Sequence, residues 1–438
     1  MNPNKLPFFR FKLFRIGLGL LGLLALLYVF VFLRSIIPTS VYDQELRLER
    51  ADIPEGANAF DVLQEAGSHV WWPDGERERI GDLMGATNWD ANFASELLDK
   101  NREAMVGWDA AAKLTDLQVS EISTVADLLP YLAAWKRMSE VAVVRENFLL
   151  RLGQDKAAFD QMMNQVQLGW RMQNSHGVLI GYLVGTAVNS MGLNQIQRWV
   201  GQSHLDARQL KNYIRQLEFD PDDEAAAFAN TMRAEYKADV GSLANIRDGK
   251  IIDDQTGKYY PRPTRLWPTF NFSKTKALFA GGYLTLLKAA PLHYKDAEDI
   301  LKDNDSKLPD FLHRSSPVSL IFSGNAAGQV MYYLMMPAIG ESLAKKSQAD
   351  VQLQATRTIL ALRAYELTHA NLPPDLSALV PEFLDEVPVD DFDGQPLRYS
   401  AEKKIVYSVG QNLKDDGGDD TRSGPNDSHL DLVYKFDF

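Results

Sequence analysis

The sequence predicts a mainly α protein, with helical hairpins or an irregular α-bundle after one N-terminal transmembrane helix and a small α+β lobe at the C-terminus. Three observations predict it. Ile16 to Leu33 is uncharged and apolar. Several long stretches then repeat apolar residues every three or four positions, the spacing of a helical stripe. The last third ends in short alternating segments broken by Asp, Gly and Pro. The resulting layout is a cytoplasmic stub at 1–15, an anchor at 16–34, an exported helical domain at 35–341 and the lobe at 342–438.

The anchor comes first. Eighteen residues without a charge span roughly 27 Å as a helix, close to the hydrocarbon thickness of a bilayer. Arg15 and Arg34 bracket it, and Lys5, Arg10 and Lys12 precede it, whereas Asp43, Glu45 and Glu49 follow. The positive-inside rule therefore places the N-terminus in the cytoplasm and the remaining residues outside, with the chain in the bacterial inner membrane as a single-pass protein. A cleaved signal peptide has a shorter apolar core and a small-x-small site, and Phe30-Val31-Phe32-Leu33-Arg34 offers none. No Glu occurs before Glu45, so the N-terminus is not that of a processed type IV pilin.

The exported part is acidic. The whole chain has 46 Lys+Arg against 58 Asp+Glu, a net −12. The first 34 residues contain five bases and no acid, which leaves Ser35–Phe438 at −17. Nucleic acid is a poor partner for such a surface. The chain has no cysteine, which excludes disulfides, thiolate metal sites and cysteine nucleophiles.

Tyr42–Pro54 reads as a polar linker. Helices are predicted over Ser123–Arg151 with a start or kink at Pro130, over Asp155–Arg171, Val178–Val200, Asp206–Leu217 and Pro221–Asn245. No fixed-period consensus supports a tetratricopeptide array. Asp248–Phe272 reads as a loop, Ser273–Leu301 as one helix and Lys302–Arg314 as a polar segment. Ser315–Gly340 is a second uncharged stretch, but Ser323, Asn325 and Gln329 suit a buried helix start better than lipid.

Ser342–His369 is a long helix with Ala349, Leu353, Leu360, Ala364 and Leu367 on one face and Lys345, Lys346, Arg357 and Arg363 elsewhere. Asn371-Leu372-Pro373-Pro374 stops it. Pro396–Ser400 and Lys404–Val409 form a hairpin. Leu430–Phe438 is a half-buried strand with Leu430, Leu432, Tyr434, Phe436 and Phe438 inward and Asp431, Lys435 and Asp437 outward.

This order of motifs, about 90 residues long, resembles the globular part of the major pseudopilin of type II secretion systems. Asp390, Phe392, Gly394 and Pro396 match the family's Asp-Pro-aromatic-Gly-x-Pro turn, with Asp391 in place of the first proline and Asp393 as an extra residue. Tyr407-Ser408-Val409-Gly410 matches the strand before the family's calcium loop. The resemblance implies a long helix followed by a small antiparallel sheet, and a calcium ion at Asp415, Asp416, Asp419 and Asp420. Gly417 and Gly418 would let carbonyls turn toward such an ion, although the spacing is not an EF-hand. A solvated acidic turn is the alternative. The chain as a whole is similar to uncharacterised bacterial single-pass membrane-anchored helical proteins, a likeness that brings no activity.

Catalytic signatures are missing. No H-E-x-x-H, nucleophile elbow or Walker A segment occurs, and Gly17-x-Gly19-x-x-Gly22 lies within the span. Glu140, Glu146, Asp155 and Asp160 are carboxylates on helices, and Trp71-Trp72-Pro73 and Trp267-Pro268 are aromatic clusters that could stack on a sugar or peptide. Two functions follow. The first is a non-enzymatic anchored scaffold or binding protein with an envelope partner, in the setting of a type II secretion or type IV pilus-like assembly. The second is an envelope hydrolase acting on glycan or peptide.

Overall fold

The computed structural model describes residues 6–127, 129–252, 259–261, 270–305, 322–421 and 430–438. Trp267 and residues 315–321 of the second uncharged stretch lie outside them.

Helix α1, Leu6–Ile36, starts ahead of the apolar stretch and runs two residues beyond Arg34. Its Leu18–Ile36 portion is long and apolar enough to cross a membrane. Leucines along it stand exposed, Leu26 to 69%. The other end is docked. The carbonyls of a helix's last turn lack intrahelical partners. Here Lys274 Nζ donates to Arg34 O (2.9 Å), and Asn271 Nδ2 donates to Ser35 O (2.6 Å) and Ile37 O (2.9 Å). Gly324, at φ +69°, lies so close that a Cβ there would meet the Arg34 carbonyl carbon at 2.8 Å.

The supposed linker is fastened down as well. Asp43 accepts from Tyr236 (2.8 Å) and pairs with Lys276 (2.7 Å), Glu45 O accepts from Arg233, and Arg50 donates to Val119 O.

Four short helices follow: α2 Ala59–Ser68, α3 Arg77–Met84, α4 Ala91–Lys100 and α5 Arg102–Ala111. They bury Phe60, Trp108, Leu83 and Leu97 against α6, Pro130–Arg151, which begins with proline at its first turn as predicted. Helix α7, Asp155–Gln173, and α8, Leu179–Trp199, form a close hairpin. Small residues permit the approach. A Cβ on Gly169 would meet Asn189 N at 2.3 Å, and one on Gly185 would meet Gln173 N at 2.6 Å. Helix α9, Ala207–Gln216, opens with a capping box between Asp206 and Gln209. Helix α10, Pro221–Arg247, has Asp220 as N-cap.

The loop expected at Asp248–Phe272 contains a two-stranded antiparallel ribbon, β1 Lys250–Ile252 with β2 Tyr259–Pro261. The helix expected over Ser273–Leu301 is two, α11 Phe272–Ala289 and α12 Tyr294–Asp305, separated at Pro291, whose fixed φ and missing N–H break the run. Helix α13 is Ala326–Gly340 and α14 is Ser342–His369. Strands β3 Arg398–Ser400, β4 Ile405–Ser408 and β5 Leu432–Lys435 form an antiparallel sheet in the order β3-β4-β5.

Apolar packing continues across 341/342. One apolar cluster joins Phe159 of α7, Ile196 of α8, Ile214 of α9, Ile359 of α14 and Phe392 and Val406 of the lobe. Helix α14 is enclosed rather than two-faced: Lys346 is buried, whereas Leu367, expected inward, is exposed at its fraying end.

Two glycine substitutions test the hairpin contact. Gly169→Ala is expected to destabilise the protein by about 1–3 kcal/mol, because the added methyl overlaps backbone with nowhere to move. Gly281→Ala, in an exposed stretch of α11 with nothing within 4 Å of its Cβ position, should stabilise by about 0.5–1 kcal/mol through helix propensity. Thermal melts in detergent compare the two.

Candidate functional site

The strongest convergence of charge lies where α10, α14 and the turn before β3 meet. Helix α10 begins with Asp222, Asp223 and Glu224, acids suited to a helix N-terminus. Helix α14 presents Lys346 and Asp350, four residues apart and so on one face. The turn contributes Asp391. Lys346 is 5% exposed and its Nζ lies 3.3 Å from Asp391 Oδ2, while His293 Nδ1 lies 3.0 Å from Asp391 Oδ1. These groups line a cleft of about 530 Å³. Six carboxylates border it, Glu218, Glu224, Asp350, Asp385, Glu386 and Asp391, against Lys346 and Arg357. Arg357 is paired with Glu218 at 3.2 Å.

Burial sets the protonation of this group. Desolvation pushes the Glu224 carboxyl up to about 8, helped by the charge of Asp350 and opposed by Lys346. Desolvation and the charge of Asp391 push Asp350 up to about 6. Burial disfavours the Lys346 ammonium, but the three surrounding carboxylates outweigh it and hold its pKa above the usual lysine range. Glu224 and Asp350 thus titrate together, and the pair holds a proton to higher pH than a free carboxyl would.

The turn that delivers Asp391 is itself well determined. Asp390 is fully buried and accepts from Phe392 N (3.0 Å), Ser408 Oγ (2.8 Å), Val409 N (3.0 Å) and Arg398 Nη1 (2.6 Å). Gly394 takes φ +72° against the His293 ring. The carbonyls of Asp391 and Phe392 accept from Tyr294 N (2.8 Å) and Lys295 N (3.0 Å), satisfying orphan donors at the start of α12.

The carboxylates singled out on helices do not meet. Glu140 is half-buried. Glu146 is fully buried with no partner on either oxygen, and desolvation pushes its pKa far up. Asp155 accepts from His204 N and pairs with its ring, and Asp160 accepts from Tyr213 OH and Lys156. Trp71 and Trp72 are half-buried against the cluster of Ile80, Leu83 and Phe93, and neither lines the acidic cleft. Its three central carboxylates escaped the sequence reading because they lie at 224, 350 and 391. The one available signal is the i, i+4 pair Lys346/Asp350 near the start of α14.

In the C-terminal loop, Gly417 and Gly418 adopt positive φ. The carboxylates, however, are engaged within the protein. Asp415 accepts from Tyr407 OH and Gly417 N, Asp416 from Asn412 Nδ2, Asp419 from Thr421 N, and Asp420 from Lys435 Nζ. Lys403 Nζ donates to Gly417 O at 2.7 Å. Asp431, expected on the outer face of the last strand, is buried instead, because its carboxylate accepts the Asp416 and Gly418 N–H groups and closes the loop. Among the described residues, no three His, Asp or Glu side chains are grouped as a metal set.

No protein-family model matches the chain, and neither a curated protein nor a solved structure is significantly similar to it.

Two variants test the cleft. Lys346→Met should destabilise by about 3–5 kcal/mol, since it leaves Asp391 buried without its ammonium. Glu224 and Asp350 titrate above their unfolded values, so the stability they lend is complete below the ordinary carboxyl range. It is lost as pH rises through about 6 and then about 8. The melting temperature should therefore fall across that window, and E224Q/D350N should flatten the fall.

Proposed function

We propose that this is a non-enzymatic, membrane-anchored envelope protein that binds a partner in the acidic cleft. Helix α1 holds it in the bacterial inner membrane, with its N-terminus in the cytoplasm and its body in the periplasm. The observation that carries the reading is the cleft itself, open to solvent and bordered by six carboxylates against two cations. Such a lining favours a cationic occupant, which we take to be a Lys- or Arg-rich segment of another envelope protein. The likeness of the C-terminal lobe to a pseudopilin domain suggests a type II secretion or type IV pilus-like assembly as the setting. The calcium ion implied at Asp415, Asp416, Asp419 and Asp420 forms no part of this reading.

A second reading has its own observation. A carboxyl that keeps its proton beside one that ionises at lower pH is the arrangement of a general acid with a general base. In an envelope hydrolase acting on glycan or peptide, Glu224 would donate the proton and Asp350 would accept one from water.

One experiment separates the two. A photocrosslinking amino acid at Val389, exposed at the cleft mouth, should give an adduct with an envelope protein in cells. D385N/E386Q, on exposed rim positions, should weaken that adduct. An adduct unchanged by the rim substitutions, or none, overturns the binding reading. Hydrolysis of cell-wall glycan or peptide by the purified protein, abolished by E224Q, would establish the other.

A further inference from the structure

We propose that α13 lies on the membrane surface, its exposed stripe resting in the interfacial layer of the bilayer beside the anchor. This rests on the reading of α1 as a membrane span. Ala326–Gly340 contains no Asp, Glu, Lys or Arg. Its inner face packs on α11, where Tyr332 meets Phe279 ring to ring at 5.6 Å and Met336 lies against Gly282. The opposite face carries Val330, 42% exposed, and Leu334, 74% exposed, one turn apart, followed by exposed Pro337 and Ala338. A helix face this apolar, on an exported body of net charge −17, has no reason to stand in water.

Continuity with the anchor identifies what covers it. The segment leading into α13 is fixed to the end of α1. Phe322 faces Phe30 of the apolar span with ring centroids 6.2 Å apart, and Gly324 abuts the backbone of Arg34 and Ser35. Lys274 Nζ joins the two elements by donating to both Arg34 O (2.9 Å) and Ser323 O (3.3 Å). Phe30 lies in the hydrocarbon and Arg34 marks where it ends, so α13 departs from the level of the lipid headgroups. An apolar stripe at that level, with cationic Arg34 beside it to meet phosphates, is placed where it can bury its exposed side chains at the headgroup boundary.

The chain lacks cysteine, so single labels can be placed cleanly. Full-length L334C and V330C, and L24C in the span and V106C on the distant body surface as controls, are labelled with an environment-sensitive fluorophore in phospholipid nanodiscs. The expected result is blue-shifted emission at 334 and 330, quenched most by lipids bearing the quencher near the headgroup. Label at 24 should be quenched most near the chain ends, and label at 106 not at all. If 334 and 330 behave like 106 while 24 is quenched, the proposal fails and the anchor stands. If 24 is also unquenched, the anchor reading fails and this proposal with it. A blue shift without lipid quenching that disappears on dilution shows a second copy covering the face, which also overturns it.

Discussion

The enclosure of α14 is the constraint on which the remaining structure depends. A 28-residue helix placed in the middle of a protein must bury polar side chains, and every one of them needs a partner. Lys346 is the most demanding, because an unpaired ammonium in the interior costs several kcal/mol. Asp391 meets that need, and Asp391 is where it is only because Asp390 pins the turn to β4 and Arg398. The same turn caps α12 through the Asp391 and Phe392 carbonyls. One ion pair therefore connects the long helix, the small sheet and the end of the helical body, and the C-terminal lobe is bound into a common core rather than standing apart.

The far side of α14 solves the same problem with neutral groups. Gln352 Nε2 donates to Asn194 Oδ1 at 2.9 Å, Ser190 Oγ donates to Gln352, and Gln197 Nε2 donates to Thr356 Oγ1 at 2.6 Å. These rungs run along α8, whose other side is in backbone contact with α7 through Gly169 and Gly185. Glycine on one side and amide pairs on the other make α8 a spacer whose thickness is set by chemistry. Ser190 is one of those rungs.

Local rules were legible in the sequence and long-range pairing was not. Pro130 and Pro221 at helix starts and Asp220 as a cap act within a few residues, so spacing reveals them. The break at Pro291 should have been legible on the same grounds, since proline ends a helix by removing a donor. Lys346 was placed with the polar residues of α14 because charge normally means exposure. Its burial depends on residues 45 positions later. Asp431 was assigned outward by strict alternation, but two N–H groups of a loop that closes around it outweigh the period. The acidic cleft needs positions 224, 350 and 391 together, and no periodicity joins them.

The junction between α1 and the body bears on how a partner would meet the protein. A polar tether of the kind expected at Tyr42–Pro54 would let the body swivel above the membrane, and a site on it would sample many heights and orientations. The structure instead terminates α1 on Asn271 and Lys274 and fastens residues 43–50 to α10, α11 and Val119. Swivelling would expose the last carbonyls of α1 and break the Asp43 contacts with Tyr236 and Lys276, each a charged or buried group whose loss is expensive. These contacts tie the end of α1 and residue 43 to α10 and α11. On the proposed reading of α1 as a membrane anchor, a ligand in the cleft would be held near a set distance from the bilayer. That geometry suits a partner that is itself embedded in the membrane, because both proteins then present their surfaces at fixed height and only rotation and lateral diffusion remain to be searched.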